Sequence, residues 1–419
     1  MKGHNALVVS ASAGVFTDGF GLGIVGIALS AAGAELHLTP AWLGITAAGS
    51  LGGLCVGALL TGPVADRYGR RAIFAYDMIA LAVLSALQLF VRSPMDVLIL
   101  RLLIGVVLGA DYVVSKAMLA ELSEEGRGRR LRWLSIAWVG GYAAAFGAGV
   151  ALSSSHNDTW RWMLASAVLP AVICLPVRLS VTESRLWLGH RAGWPCSGLV
   201  SVDDLGLKGK QEACGSGSTF WASSWQSLWS PEWRRNTVVG CIFFSCQVIP
   251  YFALGTFVTK VLEGMHIEAS YASGLIYNAF LLLGAVAGIL VVDHISRRTF
   301  LVGSFGVTTV ALLPMILFND VSSMIVIVLF VSFAGVLSAS QCLVYVYLPE
   351  LFPTRIRASG VGVAIAVSRV ASAAGTFLLP IILDSYGARS VLAVCAFTLA
   401  IGAIFCFQYA PETRNVVMD

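Results

Sequence analysis

The sequence predicts an all-α membrane protein in which twelve transmembrane helices form two duplicated six-helix bundles. Three observations carry this expectation. Of the 419 residues, 57% are hydrophobic and 12% charged, where a soluble domain carries about 25% charged residues, and the mean hydropathy is +0.82. Apolar runs of about 20 residues, each able to cross roughly 30 Å of hydrocarbon, recur along the whole chain. Landmarks of the first half return in the second at a nearly constant offset.

Six runs belong to the first half. The span 10–32 is interrupted by Asp18, and no small-residue cleavage site follows a basic start, so it reads as a retained helix rather than a removed signal. Spans 41–62 and 72–91 enclose the basic turn "DRYGRR". The fourth, 97–119, holds Arg101, Asp111 and Lys116. Each such charge costs roughly 2.5–3.5 kcal/mol near mid-bilayer, so it is kept for pairing or for function. Gly105 and Gly109 in the same run make a GxxxG pattern, a mark of close helix packing. Spans 132–153 and 161–180 complete the half. The second set is 236–259, 270–292, 299–318, 321–346, 359–382 and 389–409.

The duplication is read from four matched positions. Asp66 of "DRYGRR" is followed 227 residues later by Asp293 of "DHISRR", and Glu121 by Glu350 after 229. Arg161 and Arg389 are 228 apart, and Glu183 and Glu412, of "TESR" and "PETR", are 229 apart. The expected organisation is therefore an N-terminal bundle over 1–188, a central loop over 189–234 and a C-terminal bundle over 235–419. The loop begins as a flexible polar stretch and continues as the Trp-rich amphipathic "TFWASSWQSLWSPEWRRN".

Orientation follows from the loops. Placing both termini in the cytoplasm puts most of the 27 Lys and Arg residues on that side. The net charge of +4 then reflects topology and requires no nucleic-acid partner. Nine cysteines without CxxC spacing and six histidines at helix ends or in loops predict no metal site, no cofactor and no enzyme chemistry.

"GPVADRYGRR", residues 62–71, resembles the signature between helices 2 and 3 of the major facilitator superfamily, and 293–298 is a degraded copy with Ser296 in place of glycine. "GADYVVSKAMLAEL" with "RGRR", "YLPELFPTRIRASGVGVAIAVSR" and "APETR" are similar to the sugar-porter-like and metabolite:proton symporter branch. The resemblance implies the major facilitator fold and a cytoplasmic gate. Its charges would be Asp66, Arg70, Arg71, Glu121, Arg127 and Glu183 in one half and Asp293, Arg297, Glu350, Arg357 and Glu412 in the other, with Glu121 facing Arg127 or Arg129 and Glu350 facing Arg355 or Arg357. Gly69 permits the tight turn. Departures are informative. "VTESRLWL" lacks the usual prolines, and Val113 replaces a frequent proline. Helix 7 has Gln247 alone where sugar porters carry a Gln-Gln pair, which disfavours a hexose. Helix 1 keeps Asp18 of the "DGxD" pair of aromatic-acid symporters but has Gly21 in place of the second acid.

Within the spans, a guanidinium at Arg369 most simply faces a carboxylate, from a substrate or a buried acid. Gln247, Tyr251, Tyr277, Asn278, Gln341 and Tyr345 are candidates to line a small-molecule cavity. No pair among Arg101, Asp111 and Lys116 has the spacing of helix neighbours. Arg101 is expected to pair with Asp18, Lys116 to snorkel, and Asp111 to lack a local cation, so that Asp111 or Asp18 carries a coupling proton. The expectation is a monomeric, proton-coupled transporter of a bacterial inner membrane that imports a small anionic substrate, an organic acid, by alternating access. An exporter of drug-like metabolites and a non-transporting sensor are the rival readings.

Overall fold

The computed structural model describes residues 2–33, 35–68, 70–121, 127–153, 159–181, 228–265, 270–318, 322–353 and 356–413. Among them are eleven helices long and apolar enough to cross a membrane and no strand. The reason is general: inside hydrocarbon every backbone N–H and C=O must be bonded within the segment. The first half comprises span 1 (Lys2–Ala32), span 2 (Pro40–Tyr68), span 3 (Arg70–Leu87), span 4 (Pro94–Glu121), span 5 (Arg127–Leu152) and span 6, which is made of Thr159–Ala165 and Val168–Leu179. The second comprises span 7 (Arg234–Thr256), span 8 (Ser270–Val291), span 9 (Arg297–Leu317), span 10 and a final helix, Arg357–Tyr409.

That last helix has 53 residues, twice the length of one crossing, and is broken at Gly387 (φ 80°, ψ 172°) into spans 11 and 12. Only glycine adopts such a backbone without strain, and the break falls in the gap expected between 382 and 389. Span 10 corrects the expectation of a continuous helix over 321–346. It divides into Ser323–Ser340 and Leu343–Glu350, joined through Gln341 and Cys342 by bonds from Gln341 N–H to Ser338 C=O (3.1 Å) and Val344 N–H to Gln341 C=O (3.1 Å). These three-residue bonds tighten the turn so that the buried backbone stays paired.

Helix starts obey local chemistry. At span 4, Ser93 N–H donates to Asp96 Oδ2 (2.9 Å) while Asp96 N–H donates to Ser93 Oγ (3.2 Å), a reciprocal cap just ahead of and inside the first turn. Ser296 caps span 9 by accepting Thr299 N–H at 3.2 Å.

The duplication recurs in packing. A Cβ at Gly57 of span 2 would lie 2.0 Å from the Val106 carbonyl of span 4, and one at Gly284 of span 8 would lie 2.1 Å from the Gly335 carbonyl of span 10. Gly105 and Gly109 meet Ser50 and Leu54 carbonyls in the same way, so the GxxxG of span 4 is a packing seam. Large apolar side chains such as Leu59, Phe90, Leu169, Val310 and Phe397 are exposed around the outside, as a lipid-facing surface requires.

The two halves meet closely at the end opposite the chain termini. There Gly26 of span 1 lies against the Thr256 carbonyl of span 7, Gly44 of span 2 against the Phe377 carbonyl of span 11, and Gly274 of span 8 against the Phe146 ring of span 5. Within the first half, that end is braced by Glu35, which accepts from Trp160 Nε1 (2.6 Å) and pairs with Arg161 (2.7 Å).

Candidate functional site: a central cavity and a buried charge cluster

Between the halves lies a small, partly open cavity. Span 4 contributes Tyr112, span 5 Ser135 and Trp138, span 7 Phe244, Tyr251 and Phe252, span 10 Gln341 and Tyr345, and span 11 Arg369. The break in span 10 is what turns Gln341 toward this space. Trp138, Tyr142, Tyr251 and Phe252 form a continuous ring cluster with centroids 5.5–6.2 Å apart. Arg369 is 6% exposed and is surrounded by the rings of Phe252 (5.3 Å), Phe244 (5.5 Å) and Tyr112 (5.6 Å). Among the described residues its guanidinium has no hydrogen-bond or ion-pair partner, and its Nε is buried. The rings hold the cation by their negative faces and leave its in-plane donors uncommitted.

Of the expected lining residues, Tyr251, Gln341, Tyr345 and Arg369 reach the cavity. Gln247 does not: its Nε2 donates to Ser340 Oγ (2.7 Å) within the second half. Tyr277 stacks on Phe330 (5.0 Å), and Asn278 Nδ2 donates to the Gly274 carbonyl one turn back (2.9 Å). Both lie outside the cavity lining. Trp138, Tyr112, Phe244 and Phe252 were not singled out by the sequence, because aromatic residues in apolar spans are ordinarily lipid-facing or core.

Beneath the cavity, toward the terminus-bearing end, the first half buries four charged side chains together. Arg178 Nη1 is 2.8 Å from both carboxylate oxygens of Asp77, 2.8 Å from Asp111 Oδ1 and 3.0 Å from the Phe74 carbonyl. Asp111 Oδ1 also accepts from Ser115 Oγ (2.5 Å). Asp18, buried on span 1, faces this cluster, and among the described residues neither of its carboxylate oxygens has a hydrogen-bond partner. Two expectations are corrected here. Asp111 does not lack a cation: Arg178, near the end of the expected span 161–180, lies inside span 6 and pairs with it. Nor does Arg101 pair with Asp18: Arg101 Nη1 donates to the Gly21 carbonyl (2.9 Å), while Nε and Nη2 are buried without a partner. The carbonyl it reaches belongs to the residue that stands where the resembled "DGxD" motif has its second acid. The signals for Asp77 and Arg178 were present, since both fall inside expected spans, but only their convergence on Asp111 distinguishes them from stray charges near span ends.

At the terminus-bearing end, the second half gathers its expected charges. Arg297 lies 3.5 Å from Glu350 and 3.7 Å from Asp293. Glu412 accepts the backbone N–H of Arg297 (3.0 Å) and Arg298 (3.1 Å), so a carboxylate from beyond span 12 satisfies the free donors at the start of span 9. Thr413 Oγ1 donates to Glu350 Oε2 (2.5 Å). Arg357 instead donates to the Phe352 carbonyl (3.2 Å), so Glu350 takes Arg297 rather than Arg357 as its partner. In the first half, Arg70 is half-buried and Arg71 exposed at the start of span 3. Gly69, Glu183 and Arg355, and the side chains of Asp66, Lys116, Glu121, Arg127 and Arg129, lie outside the described residues.

Comparison with known proteins agrees with this architecture. The family profile described as "Sugar (and other) transporter" matches residues 9–419. The inner membrane metabolite transport protein YgcS of Escherichia coli K12 is 34% identical over 402 residues, covering 95% of this chain and 89% of the relative. The putative metabolite transport protein YaaU of the same organism is 32% identical over 419 residues, covering 99% and 93%. The partially occluded inward-open xylose transporter XylE of E. coli superposes with a TM-score of 0.79 at 18% identity, covering 100% of both chains. The chain is therefore a multi-pass membrane transporter rather than an enzyme, and it belongs to the sugar (and other) transporter family of the major facilitator superfamily.

Proposed function

We propose that this transporter is a proton-coupled symporter that imports a small organic carboxylate by alternating access, working as a monomer in a bacterial inner membrane with both termini cytoplasmic. Residues 1–188 and 235–419 are the moving halves, 189–234 connects them on the cytoplasmic face, and the charges around Asp66 and Asp293 form the cytoplasmic gate. The observation that carries the reading is Arg369: a buried guanidinium on the cavity wall, caged by three rings and without a counter-charge among the described residues. A buried, unpaired charge is costly, and a carboxylate seated in the cavity removes that cost through a two-pronged hydrogen bond. The aromatic wall of Trp138, Tyr251 and Phe252 suits a flat, apolar body behind that carboxylate.

Proton coupling is supported by proximity. Tyr112 and Asp111 are consecutive on span 4; the Tyr112 ring lies under Arg369, and its hydroxyl meets that of Tyr345 across the halves. The substrate-binding cation Arg369 and the carboxyl groups of Asp111 and Asp18 are thus linked through one residue. Calorimetry with a panel of small monocarboxylates tests the substrate: Arg369→Ala should abolish binding, and Arg369→Lys should weaken it, because a point charge lacks the planar fork. Undiminished affinity in Arg369→Ala refutes the carboxylate. In proteoliposomes, Asp111→Asn or Asp18→Asn should lose accumulation driven by a pH difference while keeping exchange. Accumulation retained in both variants refutes the carboxyl pair as the proton carrier.

A further inference from the structure

The cluster below the cavity contains two residues to which the coupling reading assigns no task, Asp77 on span 3 and Arg178 on span 6. The formal count is unbalanced: three carboxyl groups surround one guanidinium, so with no proton bound the site carries a net charge of −2 in the membrane interior. One proton leaves −1, and a second neutralises it. Arg178 is also over-subscribed at one nitrogen. Nη1 has two hydrogens but faces four acceptors, while Nε and Nη2 are buried with no hydrogen-bond partner. A cation arranged this way is shared between Asp77 and Asp111 rather than committed to either. Room for it comes from span 1, where a Cβ at Gly14 would lie 1.5 Å from Nη2. The Phe74 ring, 4.1 Å from the guanidinium carbon, supports it from span 3.

We propose that Asp18, Asp77, Asp111 and Arg178 form a single proton-binding site in which Arg178 passes from Asp111 to Asp77 as protons load. Protonation of Asp111 removes one of the two carboxylates that hold Arg178, and Asp77 then keeps the cation alone. Span 3 begins with Arg70 and Arg71 of the gate motif, so the transfer draws span 6 toward the helix that carries the gate and away from the helix that carries Tyr112. Asp77 and Arg178 are positioning residues in this scheme. The titratable and charged groups facing Asp111 among the described residues are Asp18 from span 1, Asp77 from span 3, and Arg178 and Cys174 from span 6. The titration therefore belongs to the cluster and not to one residue.

This inference rests on the coupling reading, and infrared difference spectroscopy separates the two without knowledge of the substrate, because the probe is the proton itself. The full-length protein in liposomes is stepped through pH while the C=O stretch of buried carboxylic acid is followed. Asp77→Asn leaves Arg178 wholly to Asp111 and removes a neighbouring negative charge, so the band's midpoint should move to lower pH by about 1–3 units. Arg178→Lys keeps the charge but cannot reach both carboxylates, so the midpoint should move to higher pH; this second variant serves if the first does not fold. Opposite displacements support the proposal. Midpoints equal to the parent's in the folded variants, with the band lost in Asp111→Asn, overturn it and leave the coupling reading standing. A band that survives unchanged in both Asp111→Asn and Asp18→Asn overturns both.

Discussion

Gly26 offers the most direct test of how the halves move. It lies on span 1 near the end opposite the termini, and a Cβ there would sit 1.5 Å from the Thr256 carbonyl oxygen, 2.5 Å from its carbon and 3.1 Å from its Cα. All three atoms are backbone, so no side chain can rotate away. Ordinary contact begins at about 3.4 Å, so Gly26→Ala requires spans 1 and 7 to separate by about 2 Å wherever this end is closed. Overpacking of this kind costs about 1–3 kcal/mol. In a conformation where the halves are parted here, the added methyl group costs nothing. The substitution should therefore shift the equilibrium away from the closed arrangement by about five- to 150-fold, at 1.4 kcal/mol per factor of ten. Spin labels on Ser153→Cys and Glu263→Cys, exposed positions at this end in opposite halves, report the separation in a background lacking the nine native cysteines. Pulsed electron resonance should show a longer mean distance in Gly26→Ala and substrate exchange should slow. An unchanged distance distribution with unchanged exchange would mean that the Gly26–Thr256 seam does not open during transport.

Gly21→Asp should stabilise the protein: a Cβ there has no neighbour closer than 3.8 Å, and the carboxylate would meet Arg101, two of whose nitrogens are buried without partners. A thermal midpoint at or below the parent's refutes that pairing. Glu412→Gln weakens the cap on span 9, and an expected loss of about 1 kcal/mol can be read from faster amide exchange at Thr299 and Phe300. Glu35, in the loop after span 1, has its carboxyl held below the usual carboxylate range, first by the Trp160 indole N–H and then by Arg161. A lowered carboxylate stabilises the fold fully above its unfolded range and loses that contribution as pH falls through the folded value. The melting difference between parent and Glu35→Gln should thus be largest near neutrality and close in acid; because the side chain is 39% exposed, it should stay below about 1 kcal/mol. Gly387→Ala places a side chain at φ 80°, ψ 172° and should cost about 1–3 kcal/mol, measured as a lowered melting temperature.

The sequence by itself determined the membrane class, the number of crossings and the duplication. Each rests on a property summed over many residues, such as hydropathy over twenty positions or an offset repeated at Asp66 and Asp293 and again at Glu121 and Glu350, so single substitutions do not erase it. The charge cluster at the terminus-bearing end of the second half was legible for the same reason: Asp293, Arg297, Glu350 and Glu412 lie at helix ends, where sequence order already limits which residues can meet. What happens inside the membrane was decided only by tertiary structure. Arg178 and Asp77 are 101 positions apart, and Arg178 and Asp111 are 67 apart; nothing local indicates that spans 3, 4 and 6 turn these side chains toward one another. The same holds for Arg101, which reaches a backbone carbonyl carrying no residue-specific signal. It holds too for the cavity, where Trp138 and Phe252 resemble any lipid-facing aromatic until the packing of the halves sets them in its wall. Partner choice for a buried charge depends on direction as well as depth, and direction is fixed by how each helix is rotated about its axis, a degree of freedom set by packing against neighbours distant in the chain.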